Sequence, residues 1–233
     1  MQMKIGILQT GIVPEQLADK HGQYSLMFSR LLAGHGFEFE NFAVVDNVFP
    51  KSVHDCDGWL VTGSRHGAYE PHPWIPPLED FIRNAYAAGV PIVGICFGHQ
   101  IMAQALGGKV EKFSGGWGAG PNSYVTADGR KIELHAMHQD QVVVLPPEAR
   151  VTASSDFCSN AALAYKGKAI SYQPHPEFSP GYMRDLIEMR KGTVLPEDQA
   201  NSALEAITDE LDSAEIANEI AEFYKSGGSR KSG

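Results

Sequence analysis

Two short stretches of this chain carry residue types that can do covalent chemistry. The first is Gly94-Ile95-Cys96-Phe97-Gly98-His99-Gln100, a cysteine with glycine two positions before it and two after. An apolar run precedes it and a helical pattern follows, so the cysteine falls on a sharp strand-to-helix turn. Such a turn strains the backbone of the nucleophile and leaves no room for neighbouring side chains, which explains the bracketing glycines. The sulfur then stands above the C-terminal edge of a sheet, at a helix N-terminus whose partial positive charge favours the reactive thiolate. The second stretch is Gln173-Pro174-His175-Pro176-Glu177. A cysteine nucleophile needs a base, and the base needs an orienting acceptor. Prolines on both sides of His175 remove backbone donors and restrict the chain, while Glu177 is near enough to hold one ring nitrogen. The order nucleophile, histidine, acid is acceptable because triads are defined by roles. Each stretch alone has an ordinary reading: a buried cysteine in a β–turn–α link, and a rigid turn with a solvated His and Glu. Together they favour a nucleophile with its base.

The elements that must position these residues follow from periodicity. Residues 4–8, 38–45, 58–61 and 91–95 read as short buried strands, and residues 23–33, 76–88 and 98–106 as amphipathic helices. This alternation predicts an α/β fold with a parallel sheet and helices on both faces. Between residues 109 and 171 the pattern changes to short β-like runs at 123–126, 131–134, 142–145, 151–154 and 168–172. Turn signals at Asp128-Gly129, Pro146-Pro147 and Lys166-Gly167 separate them, so this region reads as an antiparallel extension that returns to the main sheet. Helices resume at 180–190 and 213–224. One domain over residues 1–225 is expected, with a Gly/Ser/Lys-rich tail at 226–233 expected to be disordered.

Composition narrows the partners. A formal net charge of −9 argues against nucleic acid or an anionic membrane surface. No apolar run approaches the roughly 20 residues that span a bilayer. Three cysteines in unrelated contexts, without a secretory signal, predict a reducing, cytoplasmic setting and no disulfide framework.

The pairing of G-x-C-x-G-H-Q with a later H-P-E resembles the class I glutamine amidotransferases, from about residue 4 to about residue 190. The likeness is nearest to the glutaminase portion of GMP synthase and to stand-alone relatives that hydrolyse γ-glutamyl peptides. It implies a doubly wound, mostly parallel, flavodoxin-like sheet with flanking helices and an antiparallel β extension. It also implies that Cys96 forms a γ-glutamyl thioester, with His175 as general base and Glu177 as its partner. Gly58-Trp59-Leu60-Val61-Thr62-Gly63-Ser64 resembles the family's strand ending in a Gly-Gly-Pro turn, which implies an oxyanion hole at Gly63 and Phe97. Thr62 and Ser64 replace the family's Gly and Pro there. Gln100 matches the residue that holds the amino-acid end of the substrate. Met137-His138-Gln139-Asp140 resembles the Ser-His-x-Asp turn beside the substrate, implying contacts from His138, Gln139 and Asp140. Gly116-Trp117-Gly118 falls where the family has a substrate-lining loop.

The remaining candidates have plainer readings. Cys56, between two aspartates, should resist ionisation, and Cys158 has no neighbouring base in sequence. His135 and His138 lack a matching ligand set, so no metal is expected, and no cofactor is implied. Residues 65–74 follow the proposed oxyanion strand and form either a pocket rim that selects the leaving group or a solvated Pro-rich loop. Ser226-Gly227-Gly228-Ser229 is similar to the turn opening the ATP-binding domain of GMP synthase, but it lacks that turn's aspartate. The expected activity is hydrolysis of glutamine or a γ-glutamyl compound. The alternatives are a glutaminase subunit feeding a separate synthetase, and a non-catalytic redox-sensing or binding protein with Cys96 as the sensor thiol.

Overall fold

In the computed structural model, residues 2–228 are described. Five strands form a parallel block: β2 (Phe37–Phe42), β1 (Met3–Leu8), β3 (Gly58–Val61), β4 (Ile92–Ile95) and β11 (Ala169–Tyr172). Antiparallel pairing then continues the sheet through β10 (Ala162–Tyr165), β9 (Ala149–Ser154), β6 (Gly118–Thr126) and β7 (Lys131–His138). The nine strands run in the order β2-β1-β3-β4-β11-β10-β9-β6-β7. A separate pair joins β5 (Lys109–Lys112) to β8 (Asp140–Val144). The mixed α/β sheet expected from the alternating pattern is therefore present, with its parallel half and antiparallel extension fused into one surface.

Strand periodicity sorts the core onto two faces. Ile5, Ile7, Leu60, Val93 and Ile95 meet Phe28 of α2 (Tyr24–Leu31) and Ile216, Ile220 and Tyr224 of α7 (Ser213–Lys225). Trp59, Val61 and Ile92 face the other way, towards α3 (Ile75–Ala88) and α4 (Phe97–Ala105). Full burial of one such aliphatic or aromatic side chain contributes about 1.5–3 kcal/mol. A third cluster gathers Leu17 of α1 (Glu15–His21), Phe178, Tyr182 of α5 (Pro180–Arg190) and Ala200 of α6 (Glu197–Glu205) beside the catalytic end of the sheet.

Several boundaries differ from the sequence reading for physical reasons. The second strand ends at Phe42, and Val44–Asp46 forms a 3-10 turn instead of continuing it. β7 runs on to His138, because His135 and His138 are buried despite being polar. The helix α7 ends at Lys225, and Ser226–Gly228 form a hydrogen-bonded turn, Gly228 N–H donating to the Phe223 carbonyl at 3.0 Å. The rest of the expected disordered tail, 229–233, lies outside the described residues.

Candidate active site

Cys96 sits between β4 and α4 with φ +53° and ψ −104°, one of the few non-glycine residues with positive φ among those described. That conformation is strained for a residue bearing Cβ. The turn closes because both flanking glycines are in close contact. A Cβ on Gly94 would lie 2.5 Å from the Gly98 carbonyl oxygen, and one on Gly98 would lie 2.2 Å from that of Val61. Backbone bonds complete the anchor, with Cys96 N–H to Tyr172 O at 2.8 Å and Gly98 N–H to Thr62 O at 3.1 Å.

The histidine arrives from the neighbouring strand β11. Pro174 and Pro176 donate nothing, and the one backbone donor between them, His175 N–H, bonds to His135 O of β7 at 2.8 Å. The imidazole is thereby fixed from both the parallel and antiparallel halves of the sheet. Its Nδ1 is 2.7 Å from Glu177 Oε1, and the ring shares a hydrogen bond with the Cys96 side chain. Phe178 stacks on it, the ring centroids 3.9 Å apart and the planes 5° from parallel. Burial favours the neutral imidazole, but Glu177 and Cys96 outweigh it, raising His175 to about 10. The Cys96, His175 and Glu177 side chains thus meet at one point.

Gly63 lies against this point, for a Cβ there would be 3.0 Å from His175 Cε1 and 3.7 Å from Cys96 Cβ. Phe97 is the first residue of α4, where an amide has no partner within the helix. Thr62, the departure from the family's glycine, is accommodated by Thr10. The Thr10 hydroxyl donates to Thr62 O at 2.8 Å, and Thr10 N–H donates to Thr62 Oγ1 at 3.0 Å.

The other expected residues gather around a cavity of about 580 Å³ that reaches Cys96. Gln100 Nε2 donates to Asp140 O at 2.9 Å and to Gln173 Oε1 at 3.1 Å, so its amide nitrogen braces α4 against the bend between β7 and β8. His138 Nδ1 lies 3.1 Å from Asp140 O, and burial lowers the imidazole to about 4. Gln139 turns its amide to the Phe113 carbonyl at 3.2 Å, securing the bend to the end of β5. Tyr69 Oη donates to Asp140 Oδ1 at 3.1 Å, which joins the 65–74 loop to the same bend; burial raises the Asp140 carboxyl. Trp117 also lines the cavity, its carbonyl accepting from the Gln199 side chain of α6.

The two other cysteines are buried. Burial pushes Cys56 up to about 11, with Asp55 and Asp57 adding smaller contributions, so the sequence argument from flanking charge caught only the lesser cause. Burial likewise raises Cys158 to about 12. Sequence reasoning missed Phe178, although an aromatic directly after His-Pro-Glu was visible. It also passed over His66, Glu70 and His72, the group among the described residues whose ligand atoms all lie within 4.8 Å of one another.

A cysteine at a strand–helix elbow, a buried His–Glu pair against it, and a doubly wound sheet define an α/β protein of the glutamine amidotransferase type. The family model described as "Glutamine amidotransferase class-I" matches residues 17–190, so the chain belongs to that family. It is 30% identical over 183 residues to Gamma-glutamyl peptidase 4 of Arabidopsis thaliana, covering 72% of this chain and 73% of that one. It is 31% identical over 185 residues to the glutamine-hydrolyzing subunit of GMP synthase from Archaeoglobus fulgidus, covering 73% and 95%. Among solved structures, a glutamine amidotransferase from Thermotoga maritima shares the fold at TM-score 0.78, with 17% identity over 99% of this chain and 100% of that one.

Proposed function

We propose that the protein hydrolyses γ-glutamyl amides through a thioester on Cys96, with His175 as acid–base and Glu177 holding the imidazole. The observation that carries this reading is the convergence of the three side chains at a strained elbow. Sulfur attacks the γ-carbonyl carbon, forming a C–S bond and a tetrahedral oxyanion beside the amides of Gly63 and Phe97. Collapse breaks the C–N bond, and His175 transfers its proton to the departing nitrogen. Water then attacks the thioester, giving a proton to His175. The C–S bond breaks and glutamate leaves.

Gln100 and the 138–140 bend take the glutamyl side of the substrate in this reading, and the 65–74 loop borders the leaving group. Likeness to a γ-glutamyl peptidase and a cavity of about 580 Å³ support an amine or peptide leaving group over ammonia alone. A second reading, supported by likeness to the glutamine-hydrolyzing part of GMP synthase, is a glutaminase that delivers ammonia to a separate synthetase. A reducing, cytoplasmic setting suits either, since all three cysteines are unpaired.

Acid quench of a single turnover with a γ-glutamyl dipeptide tests the chemistry. A γ-glutamyl adduct on Cys96 is expected by peptide mass spectrometry, with none in Cys96→Ala. Full turnover by folded Cys96→Ala removes the reading.

A further inference from the structure

The proposed hydrolysis leaves one ordered group of side chains unused. After β3 the 65–74 loop doubles back, Glu70 N–H bonding to Gly67 O at 3.0 Å, and this brings three side chains to one point. His66 Nδ1 lies 3.4 Å from Glu70 Oε2, and His72 Nε2 lies 2.7 Å from the same oxygen. The two imidazole rings are 4.1 Å apart, centroid to centroid. We propose that His66, Glu70 and His72 bind a single divalent first-row transition ion, with Zn²⁺ the best fit.

Ligand chemistry carries the assignment. Two imidazole nitrogens and one carboxylate oxygen are a donor set that suits Zn²⁺ and leaves a fourth tetrahedral position for water or substrate. Bonds of about 2.0–2.2 Å to a tetrahedral ion place ligand atoms roughly 3.3–3.6 Å apart. The His66–Glu70 distance of 3.4 Å already meets that spacing, while the 2.7 Å contact to His72 must open slightly. Each nitrogen now facing Glu70 becomes a lone-pair donor by moving its proton to the other ring nitrogen.

The protonation states agree with the geometry. The Gly67 N–H holds the Glu70 carboxyl below the usual range, and burial together with the neighbouring His72 lowers His66. A carboxylate and a neutral imidazole are the forms that coordinate a metal.

The rings are also held in place. Trp74, only 3% exposed, stacks on His72 at 5.8 Å and 13°, and contacts His66 at 5.9 Å. Its other side packs on Phe97 at 5.4 Å, next to the nucleophile. His66 N–H bonds to Ser64 Oγ at 3.2 Å, and His66 and Glu70 both line the cavity. An ion here would fix residues 66–72 as one unit at the mouth of the cavity.

The test uses tag-free full-length protein, stripped with chelator and titrated with Zn²⁺ by calorimetry and with Co²⁺ by absorption. One ion per chain is expected, with tetrahedral Co²⁺ bands and no thiolate-to-cobalt charge transfer. Losing an outer partner of a metal ligand typically costs about 10–100-fold in affinity, so losing a direct ligand in His72→Ala or Glu70→Gln should cost about 100-fold or more. Cys96→Ser should bind as wild type does, and circular dichroism establishes that each variant is folded. Binding that disappears in Cys96→Ser but survives in His72→Ala and Glu70→Gln places the ion on the nucleophile and overturns the proposal. Absence of binding in the wild type does so too, leaving a hydrogen-bonded cluster alone.

Discussion

Burial alone would drive the His175 imidazole to its neutral form, but Glu177 and Cys96 hold a proton on it. A histidine raised in the folded state contributes stability that is complete below its ordinary value and is lost as pH rises through the raised one. For His175 that window runs from about 6.5 to about 10. The stability gap between wild type and His175→Gln, measured by urea unfolding, should therefore be widest near pH 6.5 and close towards pH 10. A gap that is flat or widens with pH means that the proton is not held there. His99 and His135 behave oppositely, as burial lowers them to about 3 and about 4, so they should add no charge in the same range.

At the scale of elements, the site depends on how closely α4 approaches β3. Gly98→Ala puts a Cβ 2.2 Å from the Val61 carbonyl oxygen, and neither backbone can yield without moving the elbow. Overpacking of this kind costs about 1–3 kcal/mol. Gly181, in α5, has its nearest such neighbour at 3.9 Å, so Gly181→Ala should be neutral or stabilise by up to about 1 kcal/mol. Urea midpoints for both variants check the pair, with equal midpoints contradicting the close-approach account. Much of this was legible in sequence, because the elbow and the Pro-flanked histidine are local patterns. β3 and α5 matched the reading at both ends. β10 was missed because Ala162–Tyr165 is buried throughout and shows no alternation. α6 was missed because only Ala200 and Ala203 of its residues are buried, too thin a stripe to read as a helix face. Phe178 over His175, and His66 beside His72, come from tertiary packing and loop closure, which spacing alone does not reveal.

At the scale of the whole molecule, the candidate site is assembled within a single chain, from β3, β4, β11 and the β7–β8 bend. His175 is already 2.7 Å from Glu177 and already joined to Cys96, so no partner is needed to bring these groups together. The molecule is acidic overall at −9, yet Arg65, Lys112 and Arg190 border the cavity. That local positive charge suits a substrate bearing a free α-carboxylate, against the sign of the remaining surface. The purified protein alone should therefore release glutamate from γ-glutamyl dipeptides, and faster than from glutamine, whose leaving group cannot reach the 65–74 loop. An α-linked glutamyl dipeptide places its scissile carbonyl on the backbone, where holding the α-amino and α-carboxylate groups would carry it away from Cys96. It should be cleaved more slowly by at least about 10²-fold, the loss expected when a reacting atom is misplaced by an ångström or so. The check is glutamate release from the two dipeptide isomers and glutamine under identical conditions, without any added protein. Equal rates on the two isomers would remove γ-selectivity, and turnover that begins only when a synthetase is added would favour the reading as an ammonia-supplying glutaminase.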